Sequence, residues 1–432
     1  MASLELLSNY WTVLKRSKRD EPREPNREVP VGLPKLSTEE IMRVAGTRYI
    51  QFQDQRDDCF SLLTHPYGPA FSGLSEEDLK EVELAQLLLA AAEKVGDRQF
   101  DCASRLLSYC ELLASKRASP AQRIVLHFVE ALRDRIDRET GRSISMKGAE
   151  GKAGSISRCL STNLTTLKMH AHLPFSQVTQ FTALQVIIEH TVSATRIHLI
   201  DLQIRSGIQW TVFMQALAER KGDPVELLKI TAVGSVDREN IEEAGKRLGS
   251  IAESMKIPFS FQVVFLPNLE EIREELFILE DGEAIAVYAP LVLRTMIARP
   301  TSLEKLISVL RNLNPSVMVM TEVEANHNSP SFVARFIEAL FFYSAYSRIR
   351  NIVSMEGHER VVRSVKINVW RAFFVRYRMA EIEFSDASLY HAHLVAKQFT
   401  CERFCTLDRD GNCLLVGWKG TPMFSLSAWK FR

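Results

Sequence analysis

The sequence predicts an α/β fold: a doubly wound, mostly parallel sheet finished by an antiparallel hairpin, joined to a block of helices. Three observations carry this prediction. From Arg196 onward, short β-rich runs alternate five times with amphipathic helical stretches, the rhythm of a parallel sheet with crossover helices. That rhythm breaks at FCTLDRDGNCLLVGW, a hairpin turning at Asp410-Gly411, after which MFSLSAWKF supplies another strand. Before Arg196, from about Glu76 to Arg138, apolar residues recur at helical spacing. Parallel strands closed by antiparallel ones fit the methyltransferase-like variant of the Rossmann fold better than a dehydrogenase.

A chain of 432 residues allows one large domain or two. With 46% hydrophobic and 25% charged residues it is globular in composition except near its start. Lys plus Arg number 54 against 53 Asp plus Glu, so the molecule lacks the basic excess of an autonomous phosphate-backbone binder. Any nucleic-acid contact must therefore come from a local patch. The seven cysteines are odd in number and scattered, and no signal peptide is read at Met1 to Tyr10, which points to a reducing compartment. No apolar run approaches the roughly 20 residues of a membrane span.

In chain order, residues 1–75 read as a flexible arm with a short helix. Lys15 to Pro34 is charged, proline-rich and poor in apolar side chains. Within it Lys15, Arg16, Lys18 and Arg19 form a basic cluster of the kind that serves nuclear import. Ser37 with Glu40 makes a capping box opening a helix to about Phe52, and HPYGPAFSGLSEED is a linker. The helical block carries Leu84, Leu87, Leu88, Leu106, Leu107, Leu112 and Leu113, then Val125, Phe128, Val129, Leu132 and Ile136 on one face. Residues 138–157 form a Gly/Ser/Lys loop, 160–169 resume the helical signal, and Phe175 to His190 is helical after Pro174. The strands are then RIHLID, LLKITAVG, FSFQVVF, AIAVYAP and SVMVMTEVE. Their following helices span 209–220, 238–255, 269–276, 302–313 and 332–346.

IHLIDLQIRSGIQW reads as a buried strand ending in an acid, a turn and a helix start. A nucleotide or S-adenosylmethionine pocket needs glycines there so that backbone can approach the ligand. Only Gly207 is present, among Ile204, Arg205 and Ile208, though Asp201 and Asp237 stand where cofactor-binding acids are found. The alternative is that Asp201, Gln209 and Trp210 satisfy and pack the turn. Leu84, Leu87 and Leu88 form an LxxLL, which either offers leucines to a partner's groove or packs a core. From Arg348 to Arg378, eight basic residues, among them Arg360, Arg363, Lys366 and Arg371, interleave with Trp370, Phe373, Phe374 and Tyr377. Such a segment grips phosphate and base, or is an amphipathic helix with a solvated face. His391, His393, Cys401, Cys405 and Cys413 do not have zinc-knuckle spacing and read as buried thiols with unrelated histidines. No nucleophile, zincin or Walker motif is present, so the residues call for neither a cofactor nor a catalytic group.

Several blocks together resemble the GRAS family of plant transcriptional regulators. Ile197-His198-Leu199-Ile200-Asp201 is similar to that family's VHIID core within 160–220, flanked by leucine-rich regions at 83–136 and 245–276. NPSVMVMTEVEANHNSPSFVARFIEALFFYSAY, with Pro315 in place, resembles the PFYRE region, 285–350. GWKGTPMFSLSAWKF, with Trp418 and Trp429, resembles the SAW region, 351–432. The resemblance covers 76–432 and implies a methyltransferase-like core with an α-helical cap. It further implies a non-enzymatic nuclear regulator without a cofactor, acting through other transcription factors, with homo- or hetero-dimers including other GRAS proteins. Promoter DNA would be reached through partners. The alternatives are a small-molecule methyltransferase using S-adenosylmethionine, and direct DNA binding through 348–378. No DELLA segment is read, so hormone-triggered degradation is not expected. After Tyr346 the family's acidic, Phe-Asp-containing segment is missing, and the chain passes at once to Ser347-Arg348-Ile349-Arg350-Asn351.

Overall fold

The computed structural model describes residues 36–54, 74–114, 119–142, 174–220, 222–235, 237–266, 271–343 and 363–432. The arm with Lys15, Arg16, Lys18 and Arg19, the loop and helix expected over 138–169 beyond Arg142, and the segment 344–362 with Arg360 lie outside the described residues. The chain forms two compact units, one built from residues up to 155 together with 326–360, the other from 156–325 together with 361–432.

The first unit is helical. It contains α1 (Thr38–Asp54), α2 (Glu76–Gly96), α3 (Phe100–Leu113), α4 (Pro120–Glu139) and α9 (Phe332–Tyr343). Local chemistry sets the helix starts. Ser37 Oγ accepts from Glu40 N at 3.3 Å while Glu40 Oε2 accepts from Ser37 N at 2.8 Å, and Ser119 with Gln122 repeats the arrangement ahead of Pro120. The unit is held by the apolar faces of α2 and α4, with Leu88, Leu89, Val125, Phe128 and Leu132 buried. Each such side chain contributes about 1.5–3 kcal/mol on removal from water. α9 completes this core: Phe128 meets Phe336 edge-on at 5.1 Å, and the Arg135 guanidinium lies 3.9 Å over the Phe332 ring. The periodicity placed this helix as the fifth crossover of the sheet. The structure assigns it instead to the helical unit, because Phe332, Phe336, Leu340 and Phe341 give it an aromatic face that α1, α2 and α4 bury.

The second unit is the α/β sheet. Its elements are α5 (Pro174–Thr191), β1 (Arg196–Asp201), α6 (Ile208–Ala218), β2 (Leu227–Gly234), α7 (Arg238–Ser254), β3 (Phe259–Phe265), β4 (Ala284–Pro290), α8 (Pro300–Leu313), β5 (Val317–Val323), α10 (Ile367–Val375), β6 (Met379–Ile382), α11 (Asp386–Lys397), β7 (Cys405–Asp410), β8 (Cys413–Trp418) and β9 (Thr421–Phe431). Strand order is β3-β2-β1-β4-β5-β9-β8-β7, with β6 also on β9. The first five strands are parallel, and β9 joins β5 antiparallel, Met318 opposite Trp429 and Val323 opposite Phe424. The predicted fold class is observed. The order reverses between β1 and β4, the switch point where open α/β sheets bind ligands. One face of the sheet carries Ile200, Val287, Met318, Met320 and Trp429 against α8 and α10. α5 lies on β4, β5, β8 and β9, and α7 on β2 and β3.

Three local expectations need correction. Of the helix expected over 269–276, residues 269 and 270 lie outside the described residues, and the rest is broken at 272–273 ahead of a 3-10 turn, Glu274–Leu276, with Ile272 and Phe277 dropping into the core on either side of it. The terminal hairpin pairs Asp410 with Cys413, so its turn is Gly411-Asn412, with Gly411 at φ +57°. The basic segment does not continue as one helix to Arg378: α10 ends at Val375, and β6 follows at Met379.

Candidate functional site

The switch-point turn is the position where this fold would hold a cofactor, and its residues are taken up with one another. Asp201, at the end of β1, is fully buried. Its carboxylate accepts from Gln203 N at 3.0 Å, Gln209 Nε2 at 3.1 Å and Trp210 Nε1 at 2.9 Å. Gln209 is itself held by Gln180 Nε2 of α5 at 3.1 Å. Burial pushes the Asp201 carboxyl up to about 6, against the three donors, which favour the charged form. Trp210 stands edge-on to Tyr288 of β4 at 5.6 Å, and Leu202 N donates to Tyr288 O at 3.0 Å, tying the end of β1 to β4 across the switch point.

Gly207 has φ +69°, a conformation that requires glycine at low cost. The space that its missing side chain leaves is not open: a Cβ there would come within 3.1 Å of Leu248 and 3.4 Å of Ile204. The glycine brings α6 close to α7. Ile204 and Leu202 are buried in the turn where a nucleotide-binding loop would expose backbone. Asp237 is exposed, caps α7 through Asn240 N at 3.3 Å, and makes no described hydrogen bond to the Asp201 turn.

His198, the polar residue inside the VHIID-like strand, lies on the opposite face from Asp201. Its Nδ1 is 3.0 Å from Glu283 and its Nε2 is 2.8 Å from Thr231, with the buried Lys229 ammonium 3.7 Å from the same glutamate. Burial holds the imidazole below its ordinary value, opposed by Glu283. His198 is visible in the sequence motif, whereas its partners come from β2 and from the segment before β4.

A second buried acid was not singled out in the sequence. Glu322, at the end of β5, accepts from Arg294 N at 3.1 Å through Oε1, while Oε2 has no hydrogen-bond partner among the described residues. Burial raises it to about 7. Two residues on, Glu324 accepts from Ile367 N at 3.0 and 3.2 Å and fixes the start of α10. The alternation Met318, Met320, Glu322, Glu324 on one face was legible, but its significance depended on β9 and α10 arriving from far along the chain.

The other singled-out residues fall as follows. Pro315 is buried just ahead of β5, Trp418 packs on Phe175 at 5.7 Å, and Trp429 donates to Ser427 Oγ at 2.8 Å while its ring meets Phe374 at 4.7 Å. Leu84 and Leu88 are buried in the helical unit, with Leu87 half-buried. Arg371 is held by Glu381 at 2.8 Å and Asp410 at 2.8 Å, Arg363 N donates to Arg294 O, and Lys366 is exposed. Cys405 is half-buried with its thiol pushed up to about 12 by burial, and Cys413 is buried. Among the described residues no His, Cys, Asp and Glu group has metal-binding geometry, and no helix is long and apolar enough to cross a membrane.

The family model described as the GRAS domain family matches residues 84–347 and 346–430, two stretches that meet where the sequence passes from Tyr346 to Ser347. DELLA protein RGL1 of Arabidopsis thaliana is 29% identical over 372 residues, covering 81% of this chain and 70% of that protein. Protein SLENDER RICE1-LIKE 1 of Oryza sativa is 28% identical over 390 residues, covering 82% and 75%. DELLA protein RGA of Arabidopsis thaliana is 28% identical, and the chain spans 62% of its length. The crystal structure of SCL7 of Oryza sativa has a TM-score of 0.68 at 23% identity, covering 80% of this chain and 99% of that one, a likeness of fold.

Proposed function

Because the chain belongs to the GRAS domain family of plant regulators, we propose that it acts in the nucleus as a non-enzymatic scaffold for transcription complexes. Its partners in this reading are other transcription factors, GRAS proteins among them, and promoter DNA is reached through those partners. The observation that carries the non-enzymatic part is the filled switch point. Asp201 accepts from Gln203, Gln209 and Trp210, and the side of Gly207 that lacks a side chain is closed by Leu248 and Ile204. A cofactor would have to displace a buried indole and two leucine-type contacts to reach the carboxylate.

Titration calorimetry of the full chain with S-adenosylmethionine tests this. No heat is expected, and micromolar binding would replace the scaffold with a methyltransferase. A fluorescent fusion in plant cells should collect in the nucleus, with Lys15, Arg16, Lys18 and Arg19 as the candidate import signal. Cytoplasmic retention of the wild type would overturn that assignment.

A further inference from the structure

We propose that the open edge of β3 docks an extended, acidic peptide strand from a partner protein. Among the described residues β3 is the last strand of the sheet on its side, with β2 as its neighbour. Leu228 N donates to Pro258 O, and Leu266 N donates to Gly234 O. By parity along the strand, the even-numbered residues of β3 bond to β2, and the N–H and C=O groups of Phe259, Phe261, Val263 and Phe265 point away from it. Natural edges are blunted by charge, proline or a bulge, yet FSFQVVF contains no charge and no proline.

Beside this edge runs a groove of about 460 Å³ lined by Phe259, Phe261 and Val263 of the strand and by Glu242, Gly245, Lys246 and Gly249 of α7. The two glycines differ in kind. A Cβ at Gly245 would stand 2.3 Å from the Phe261 ring, so the packing of α7 on β3 requires glycine there. At Gly249 the nearest atom to a Cβ is Phe259 Cδ1 at 4.0 Å, ordinary contact. The fold therefore has no steric need for Gly249, although glycine is a poor helix former. What Gly249 does is keep the groove open next to unpaired backbone, the arrangement that strand addition uses: main-chain bonds for affinity and a trough for alternate side chains.

Charge selects the occupant. Of the two charged residues that line the groove, Glu242 is paired with Arg238 at 2.8 Å, whereas Lys246 makes no ion pair among the described residues; Lys256 near the start of β3 is offset by Glu253 three residues before it. One unpaired ammonium in the lining of an apolar trough favours a strand with apolar residues at alternate positions and a carboxylate beside them. This surface deepens the scaffold reading and rests on it for its biological use, but peptide binding to the purified chain is measured apart from nuclear location and cofactor binding.

The probe is a phage-displayed library of random heptapeptides panned against the full chain, with enriched sequences synthesised and titrated by fluorescence anisotropy. Enrichment of alternating apolar sequences containing Asp or Glu is expected. Val263→Pro removes an outward N–H without touching the β2 ladder, and Gly249→Leu fills the trough while favouring the helix. Each should weaken binding roughly tenfold or more with unchanged circular dichroism, and Lys246→Glu should abolish the preference for acidic peptides. The proposal is overturned by three outcomes: no enrichment, equal binding by both blocking variants, or a wild-type dimer in sedimentation that Val263→Pro converts to monomer. The last would make a second copy the occupant.

Discussion

Replacing Asp201 with alanine strips three donors of their acceptor at once: Gln203 N, Gln209 Nε2 and the Trp210 indole. A buried donor left unpaired loses about 1–3 kcal/mol, so Asp201→Ala should lower unfolding free energy by at least about 3 kcal/mol in urea titration. Glu322 makes the opposite prediction. It rises from 4.5 in the unfolded chain to about 7 when folded. The unfolded state therefore ionises first, and stability falls as pH climbs between those values, by up to about 3 kcal/mol. Glu322→Gln keeps a carbonyl for Arg294 N and removes the ionisation. The variant should match wild type near pH 4.5 and exceed it at pH 8 in thermal melts. A variant equally stable or weaker at pH 8 would show that the charged form is stabilised by Arg294 more than burial opposes it.

At the scale of elements, α7 and β3 give a paired test. Gly245→Ala forces a methyl against the Phe261 ring and should destabilise by about 1–3 kcal/mol as overpacking does. Gly249→Ala, one turn along the same helix, meets ordinary contact and should stabilise by about 0.5–1 kcal/mol through helix propensity alone. Equal effects in chemical denaturation would remove the distinction. The elements themselves were legible wherever periodicity was strong: β1 to β5 match the sequence reading within one residue, and α5, α6, α7 and α8 within two. The reading failed where long-range packing decides. Leu269 to Leu276 has helical spacing, yet Ile272 and Phe277 serve the core better from a 3-10 turn. β6, four residues long, exists because β9 extends past β8 and offers an edge at 428–431, which no local pattern announces. At the candidate site, Asp201, Gln209 and Trp210 could be read together from one turn, whereas the Tyr288 contact and the Glu322–Arg294 bond join residues on separate strands and loops.

For the whole molecule, the helical unit is assembled from two separated stretches of chain. A fragment ending at residue 155 lacks α9, and with it the Phe336 ring that meets Phe128 and the Phe332 ring under the Arg135 guanidinium. Burial of Phe332, Phe336 and Leu340 contributes about 1.5–3 kcal/mol each, a large part of what a small helical unit has. The fragment 36–155 should therefore show helical circular dichroism with a broad, weakly cooperative melt. Adding a synthetic peptide of residues 326–343 should sharpen the transition and raise its midpoint. A sharp melt of the fragment alone would assign α9 a peripheral part.

The same division governs how the chain is made. When α4 leaves the ribosome, α9 is still 193 residues away, counting from Glu139 to Phe332. At about 5–20 residues per second that is a wait of roughly 10–40 s. Throughout it the face of α4 that later meets Phe336 and Phe332 has no partner, while the entire parallel sheet is being synthesised. Newborn chains of this protein are thus candidates for chaperone custody, and a slowed ribosome between these two helices would lengthen their exposure.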